Sequence, residues 1–124
     1  EEFAVLSGDD GMTLPMLSAG ADGCVSVVAN VEPERTCAMV GAALSGDYEF
    51  ARDLHHELGP LTRRLFVETN PIPIKEAMHI RGHGTPYLRS PLTRLSETHR
   101  AALEAELDRL AEADIEGDYA EVER

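Results

Sequence analysis

Two continuous apolar runs near the start of the chain, and the lack of a third, constrain its fold more than any other feature. The first is "FAVLSGDD", which ends in a glycine and two acids; the second is "GCVSVVANV". Neither alternates apolar with polar residues, a pattern suited to strands covered on both faces, as in parallel sheets. Each run leads into a helical segment. "MTLPMLSAG" tolerates Pro15 only near a helix start and meets a stop at Gly20, with Asp9 or Asp10 placed to cap its free amides. "EPERTCAMVGAALSGD" carries Pro33 at a helix start and Gly46 at its end. The order strand, helix, strand, helix predicts an α/β fold with parallel pairing and right-handed crossovers. Two parallel strands alone leave both sheet edges unpaired. They need partners from another polypeptide or from the rest of a larger α/β protein. A chain that opens on Glu1 and reaches an apolar run by Phe3 is expected to be cut from something longer.

After Gly46 the remaining periodic segments are helical. "DYEFARDLHHELGPLTRRLF" repeats Phe50, Leu54, Leu58 and Leu61 at helical spacing, and Pro60 is expected to kink or divide it. "NPIPIKEAMHIRG" predicts a helix with Asn70 as cap, and "SETHRAALEAELDRLAEAD" an amphipathic helix with Ser96 as cap and Leu103, Leu107 and Leu110 on one stripe. The expected organisation is two strand–helix units over 1–46, a helical region over 47–113 and a frayed acidic tail over 114–124.

The 124 residues include 23 acids against 11 Lys and Arg, a net charge of −12. That balance argues against nucleic acid, whose phosphates need clustered cations. It fits simple solubility, and equally adaptation to high salt, which the single lysine also suits; a GC-rich genome would favour arginine as well. No apolar run is long enough to span a membrane, and no signal peptide is visible, so no membrane partner is expected. Cys24 and Cys37 have no CxxC spacing and read as small buried residues of a reducing compartment, giving a cytoplasmic expectation.

Few residues offer chemistry. Gly8 sits where the first strand meets its loop, and in an α/β barrel substrate groups gather at the carboxyl ends of the strands. A glycine there lets backbone approach a ligand, and is equally an ordinary turn residue. Asp9 and Asp10 could act as acid and base or bind metal, or could simply cap. His55 and His56 point about 100° apart on a helix and cannot share a metal. His79 and His83 have a permissive spacing, but Gly82 and Gly84 interrupt any helix between them, so no zinc site is expected. Ser7, Ser26 and Thr69 lack an adjacent base, and no GxSxG or P-loop pattern occurs. Lys75, the only lysine, would become a Schiff-base nucleophile if burial or a neighbouring cation lowered its pKa. Its position at a helix start outside the strand region favours a structural or ion-pairing role, with Glu68 and Glu76 as partners.

"FAVLSGDD", "GADGCVSVVANVEP" and "FVETNPIPIKEAM", in that order, closely resemble the dihydrodipicolinate synthase family, and "LRSPLTRLSETHRAALEAEL" resembles its closing segment. The resemblance runs from about Phe3 to Leu110. It implies a (β/α)8 TIM barrel of which this chain is the last two strands and their helices, followed by a C-terminal helical region. Members are class I aldolases or lyases that form a Schiff base between a barrel lysine and pyruvate, without metal or organic cofactor. In the synthase the enamine attacks aspartate semialdehyde on the route to diaminopimelate and lysine. Gly8 matches the loop glycine whose backbone lines the substrate pocket, and Val25 the aliphatic residue touching pyruvate, where Ile is common. The resemblance puts the nucleophilic lysine, the catalytic tyrosine and the proton relay upstream of Glu1. Lys75 matches a family lysine that is not the nucleophile. A homo-tetramer is implied, and this chain by itself is expected to be inactive. A 2-keto-3-deoxy-sugar acid aldolase or N-acetylneuraminate lyase of the same family, or a non-catalytic partner subunit, stand as alternatives.

Overall fold

Leu6–Ser7 (β1) and Gly23–Cys24 (β2) pair in parallel, Leu6 against Gly23 and Ser7 against Cys24, in a computed structural model that describes residues 3–113. The 114–124 tail lies outside the described residues. Both strands are shorter than the apolar runs that announce them. Hydrogen bonds hold the entry to the pair: Asp22 Oδ2 accepts from the Val5 amide at 2.7 Å, and the Asp22 amide donates back to the Val5 carbonyl at 2.8 Å. A run becomes a ladder only where a neighbour completes its backbone bonds, and among the described residues each strand has one neighbour. Among the described residues the expected cover on both faces is incomplete, since Phe3, Leu6 and Val25 are exposed while Ser7 is fully buried. The second run is not a single strand. Beyond Cys24 it turns, and Val28–Asn30 form a short 3-10 helix.

Between the strands, Thr13–Ser18 (α1) begins with Pro15 inside its first turn, where a missing amide costs no helical bond. The chain leaves it through Gly20 at φ 101°, a left-handed conformation in which a side chain would be strained. Pro33–Ser45 (α2) starts on its proline and ends on Gly46 at φ 91°, as the sequence predicts. Leu14 and Leu17 of α1 meet Ala38, Met39 and Ala43 of α2 in a small apolar core. The Tyr48 hydroxyl donates to the Leu17 carbonyl at 3.3 Å. Buried Arg35 is held by Glu32 at 2.8 Å and Glu57 at 2.9 Å.

Tyr48–Leu65 (α3) runs through Pro60 as one helix, so of the expected kink or division the proline does not impose the division. The chain nevertheless forms two compact units whose boundary falls at Gly59–Pro60. In the second unit, Ile72–Ile80 (α4) packs against Glu97–Glu112 (α5). Leu103, Leu107 and Leu110 are fully buried, as their stripe predicts, and each such leucine contributes about 1.5–3 kcal/mol by leaving water. Asn70 does not cap α4, because the cap position falls on Pro71 after a cis Asn70–Pro71 bond. Ser96 takes the cap position of α5 without a side-chain cap bond; its amide donates to Glu68 Oε1 at 3.2 Å.

The chain therefore forms part of a (β/α) barrel, two strands with their helices, followed by a helical region. No described helix is long and apolar enough to cross a membrane.

Candidate functional site

The register that sets Ser7 against Cys24 makes Gly8 and Val25 the next positions on the two strands. Val25 is tied to the residue before Gly8, its amide donating to the Ser7 carbonyl at 2.8 Å. Gly8 and Val25, seventeen positions apart in the chain, thus stand together at the carboxyl ends of the strands. Both are exposed, Val25 at 69%. A Cβ built on Gly8 would meet no atom within 4 Å, and its φ lies outside the left-handed region. Nothing around Gly8 in the described residues requires a glycine there.

Hydroxyls fix the loop after β1. Fully buried Ser7 donates through Oγ to the Asp9 carbonyl at 2.9 Å, and Thr13 Oγ1 lies 3.1 Å from Ser7 Oγ and 3.0 Å from the Asp9 carbonyl. The two acids of "SGDD" do not cap α1 as expected. Asp9 Oδ1 accepts from the Gly11 amide at 2.9 Å, a local turn. Asp10 is buried and faces the other strand's loop. Its carboxylate accepts from the Ser26 hydroxyl and from the amides of Val27 at 2.9 Å and Val28 at 3.3 Å. Ser26 Oγ accepts in turn from the Ala29 amide at 2.9 Å. A cluster of free amides at the start of a helical turn is where a carboxylate is most stabilising, and Asp10 supplies it from sixteen to eighteen positions away. Spacing along the chain shows only local caps, which is why this partnership is invisible in sequence.

Cys24 is half-buried, and burial, then the Asp10 carboxylate and Cys37, push its thiol above the ordinary value. The expectation that both cysteines are buried fails for Cys37, which is exposed on α2. The two thiols line a cavity of about 440 Å³ between the strands and α2, together with Leu6, Ala29, Val40 and other residues. Neither Gly8 nor Val25 lines it. Its walls are mostly apolar, and they include Ser26 and Ala29, which follow the carboxyl end of β2.

Lys75 belongs to the second unit, in the first turn of α4. The carboxylates expected to pair with it are engaged elsewhere. Buried Glu76 receives Arg94 at 2.9 Å and Arg100 at 3.0 Å, and Glu68 receives His99 at 2.7 Å. The reason is reach: Arg94 and Arg100 come from the segment and helix that close over Glu76, whereas Lys75 is its neighbour along α4 and points to another side. His79 Nδ1 lies 3.1 Å from the Gly84 carbonyl, so this histidine serves the turn after α4. Among the described residues no three His, Cys, Asp or Glu side chains gather as metal ligands.

Residues 1–110 match the dihydrodipicolinate synthetase family. The chain is 69% identical over its whole length to 40% of the 4-hydroxy-tetrahydrodipicolinate synthase of Haloarcula marismortui. It superposes on the dihydrodipicolinate synthase of Aquifex aeolicus with a TM-score of 0.87 and 43% identity, over 90% of this chain and 38% of that one. The Acinetobacter baumannii synthase, solved in complex with pyruvate, gives 0.81 and 34%, over 88% and 37%. The chain thus spans at most about two fifths of these relatives. With sequence and backbone agreeing from the first strand into α5, the chain belongs to the dihydrodipicolinate synthetase family.

Proposed function

We propose that this chain is the closing part of a pyruvate-dependent lyase, a 4-hydroxy-tetrahydrodipicolinate synthase, and that Gly8 and Val25 form one wall of its pyruvate pocket. The observation that carries this reading is their meeting at the carboxyl ends of a parallel strand pair, in a chain whose relatives include a synthase crystallised with pyruvate. An exposed valine beside open backbone suits a small keto acid: the side chain gives the methyl group an apolar contact, and the glycine lets the carboxylate come close to the main chain.

The chemistry needs an amine from outside this chain. A lysine amine condenses with the keto carbon of pyruvate and releases water; loss of a methyl proton gives an enamine, whose carbon attacks the aldehyde carbon of aspartate semialdehyde, the aldehyde oxygen taking up a proton. The residues of this chain bind and orient the pyruvate half and supply no nucleophile. Lys75 remains part of the helical scaffold.

Borohydride trapping with pyruvate tests this reading on two proteins, the chain alone and a complete barrel that includes it. The complete barrel should acquire one reduced pyruvate on a lysine outside residues 1–124, and the chain alone none. A stable adduct on Lys75, or a complete barrel that takes up no pyruvate, would overturn the assignment. Turnover with aspartate semialdehyde, compared with sugar-derived aldehydes, identifies the second substrate.

A further inference from the structure

Asp10 is the buried acid that the pocket wall does not itself use. Its two oxygens accept from Ser26 Oγ and the amides of Val27 and Val28, so three donors occupy three of the roughly four lone-pair sites of the carboxylate. All three donors follow Val25 directly in sequence, and Gly8 precedes Asp10 by two residues. The two wall residues are therefore joined twice. One tie is the Val25 amide on the Ser7 carbonyl at 2.8 Å, on the strand side. The other is Asp10, on the loop side. With Asp10 in place, the turn after Val25 folds back as the 3-10 helix Val28–Asn30, and Val25 is left standing 69% exposed at the strand end. Without it, two amides and a hydroxyl lose their acceptor at the site where the chain must turn sharply. The segment after Cys24 is rich in β-branched residues, so its local preference is to continue extended.

We propose that Asp10 is a positioning residue of the pyruvate pocket: it bolts the loop after β2 to the loop after β1 and so sets the placement of Val25 relative to Gly8. This rests on the reading of Gly8 and Val25 given above. Its effect falls on pyruvate binding and not on the chemical step, because its carboxylate is engaged by the loop after β2.

The test uses a complete barrel containing this chain. In Asp10→Ala, KM for pyruvate should rise about tenfold, while kcat and KM for the aldehyde stay within about twofold, the signature of lost ground-state binding. Asp10→Asn keeps an acceptor oxygen for the Val27 and Val28 amides, and its amide group can donate to Ser26 Oγ, so it should recover most of the pyruvate affinity. Ser26→Ala removes one donor while leaving the two amide bonds and should raise KM about threefold; it carries the test if Asp10→Ala does not fold. A purely structural Asp10 would instead lower the fraction of protein that traps pyruvate, leaving KM unchanged in the folded remainder, and that result overturns the proposal. If the unsubstituted barrel traps no pyruvate, the pocket assignment itself falls and Asp10 with it. If it traps pyruvate while both Asp10→Ala and Ser26→Ala bind it normally, only the role of Asp10 is lost.

Discussion

Gly8 shows how a single residue separates stability from function. Its φ is not left-handed and its Cβ position is open, so Gly8→Ala removes backbone freedom without creating a clash in this chain. The substitution should change folding stability by no more than about 0.5 kcal/mol, measured by denaturant titration. In a complete barrel the added methyl group would occupy the space assigned to the pyruvate carboxylate, and KM should rise about tenfold, equivalent to about 1.4 kcal/mol of binding. Unchanged affinity for pyruvate would show that Gly8 is only a turn residue. The sequence carries Gly8 and Val25 through family resemblance, because each by itself is an ordinary residue. What brings them together is strand register, and register depends on backbone bonds that no short window of sequence displays. Asp10 illustrates the same limit more sharply: a local reading makes it a cap for the helix that follows, whereas its partners lie in the loop after the next strand.

At the level of elements, the helices were legible and the strands only in part. The leucine stripe of α5 and the Pro33 and Gly46 boundaries of α2 follow from local rules of burial and capping, so the sequence states them directly. Strand length depends on a neighbour, and only two residues of each run find one. The turn between α3 and α4 is held by a contact that spacing does not reveal. Glu68 lies in that turn and accepts from His99 at 2.7 Å and from the Ser96 amide at 3.2 Å, which binds the start of α5 to it. The hydrogen bond with His99, then those with Ser96, hold the Glu68 carboxyl below its ordinary value of 4.5. A carboxylate whose pKa is lowered by folding binds its proton more readily in the unfolded chain. Its contribution is thus complete above 4.5 and is lost as the pH falls through the lower, folded value. Thermal melts of the wild type and Glu68→Gln should differ near neutral pH and converge in strong acid. Parallel curves across that range would remove Glu68 from the account. Because the group is at the surface, the difference should be small beside that from a buried leucine.

For the whole molecule, the deciding fact is that a two-residue, two-stranded parallel ladder cannot carry its own stability. Parallel sheets are stable when both faces are covered and several strands share the ladder, and here Phe3, Leu6 and Val25 remain open to water. The unit containing α4 and α5 has no such dependence, since its leucines are buried within a helix pair. The two units should therefore respond differently to isolation. In hydrogen exchange on the chain alone, amides of α5 around Leu103 and Leu107 should be protected, while those of Val25 and Val27 exchange quickly despite their bonds to Ser7 and Asp10. Supplying the preceding portion of a barrel as a separate polypeptide should slow exchange at the strand residues, leave α5 little changed, and restore pyruvate trapping on the added piece. Protection at Val25 and Val27 in the isolated chain, as strong as that at Leu107, would mean that the two strands stand without neighbours. The chain would then be a self-sufficient module, and the case for it as the closing part of a barrel would lose its physical basis.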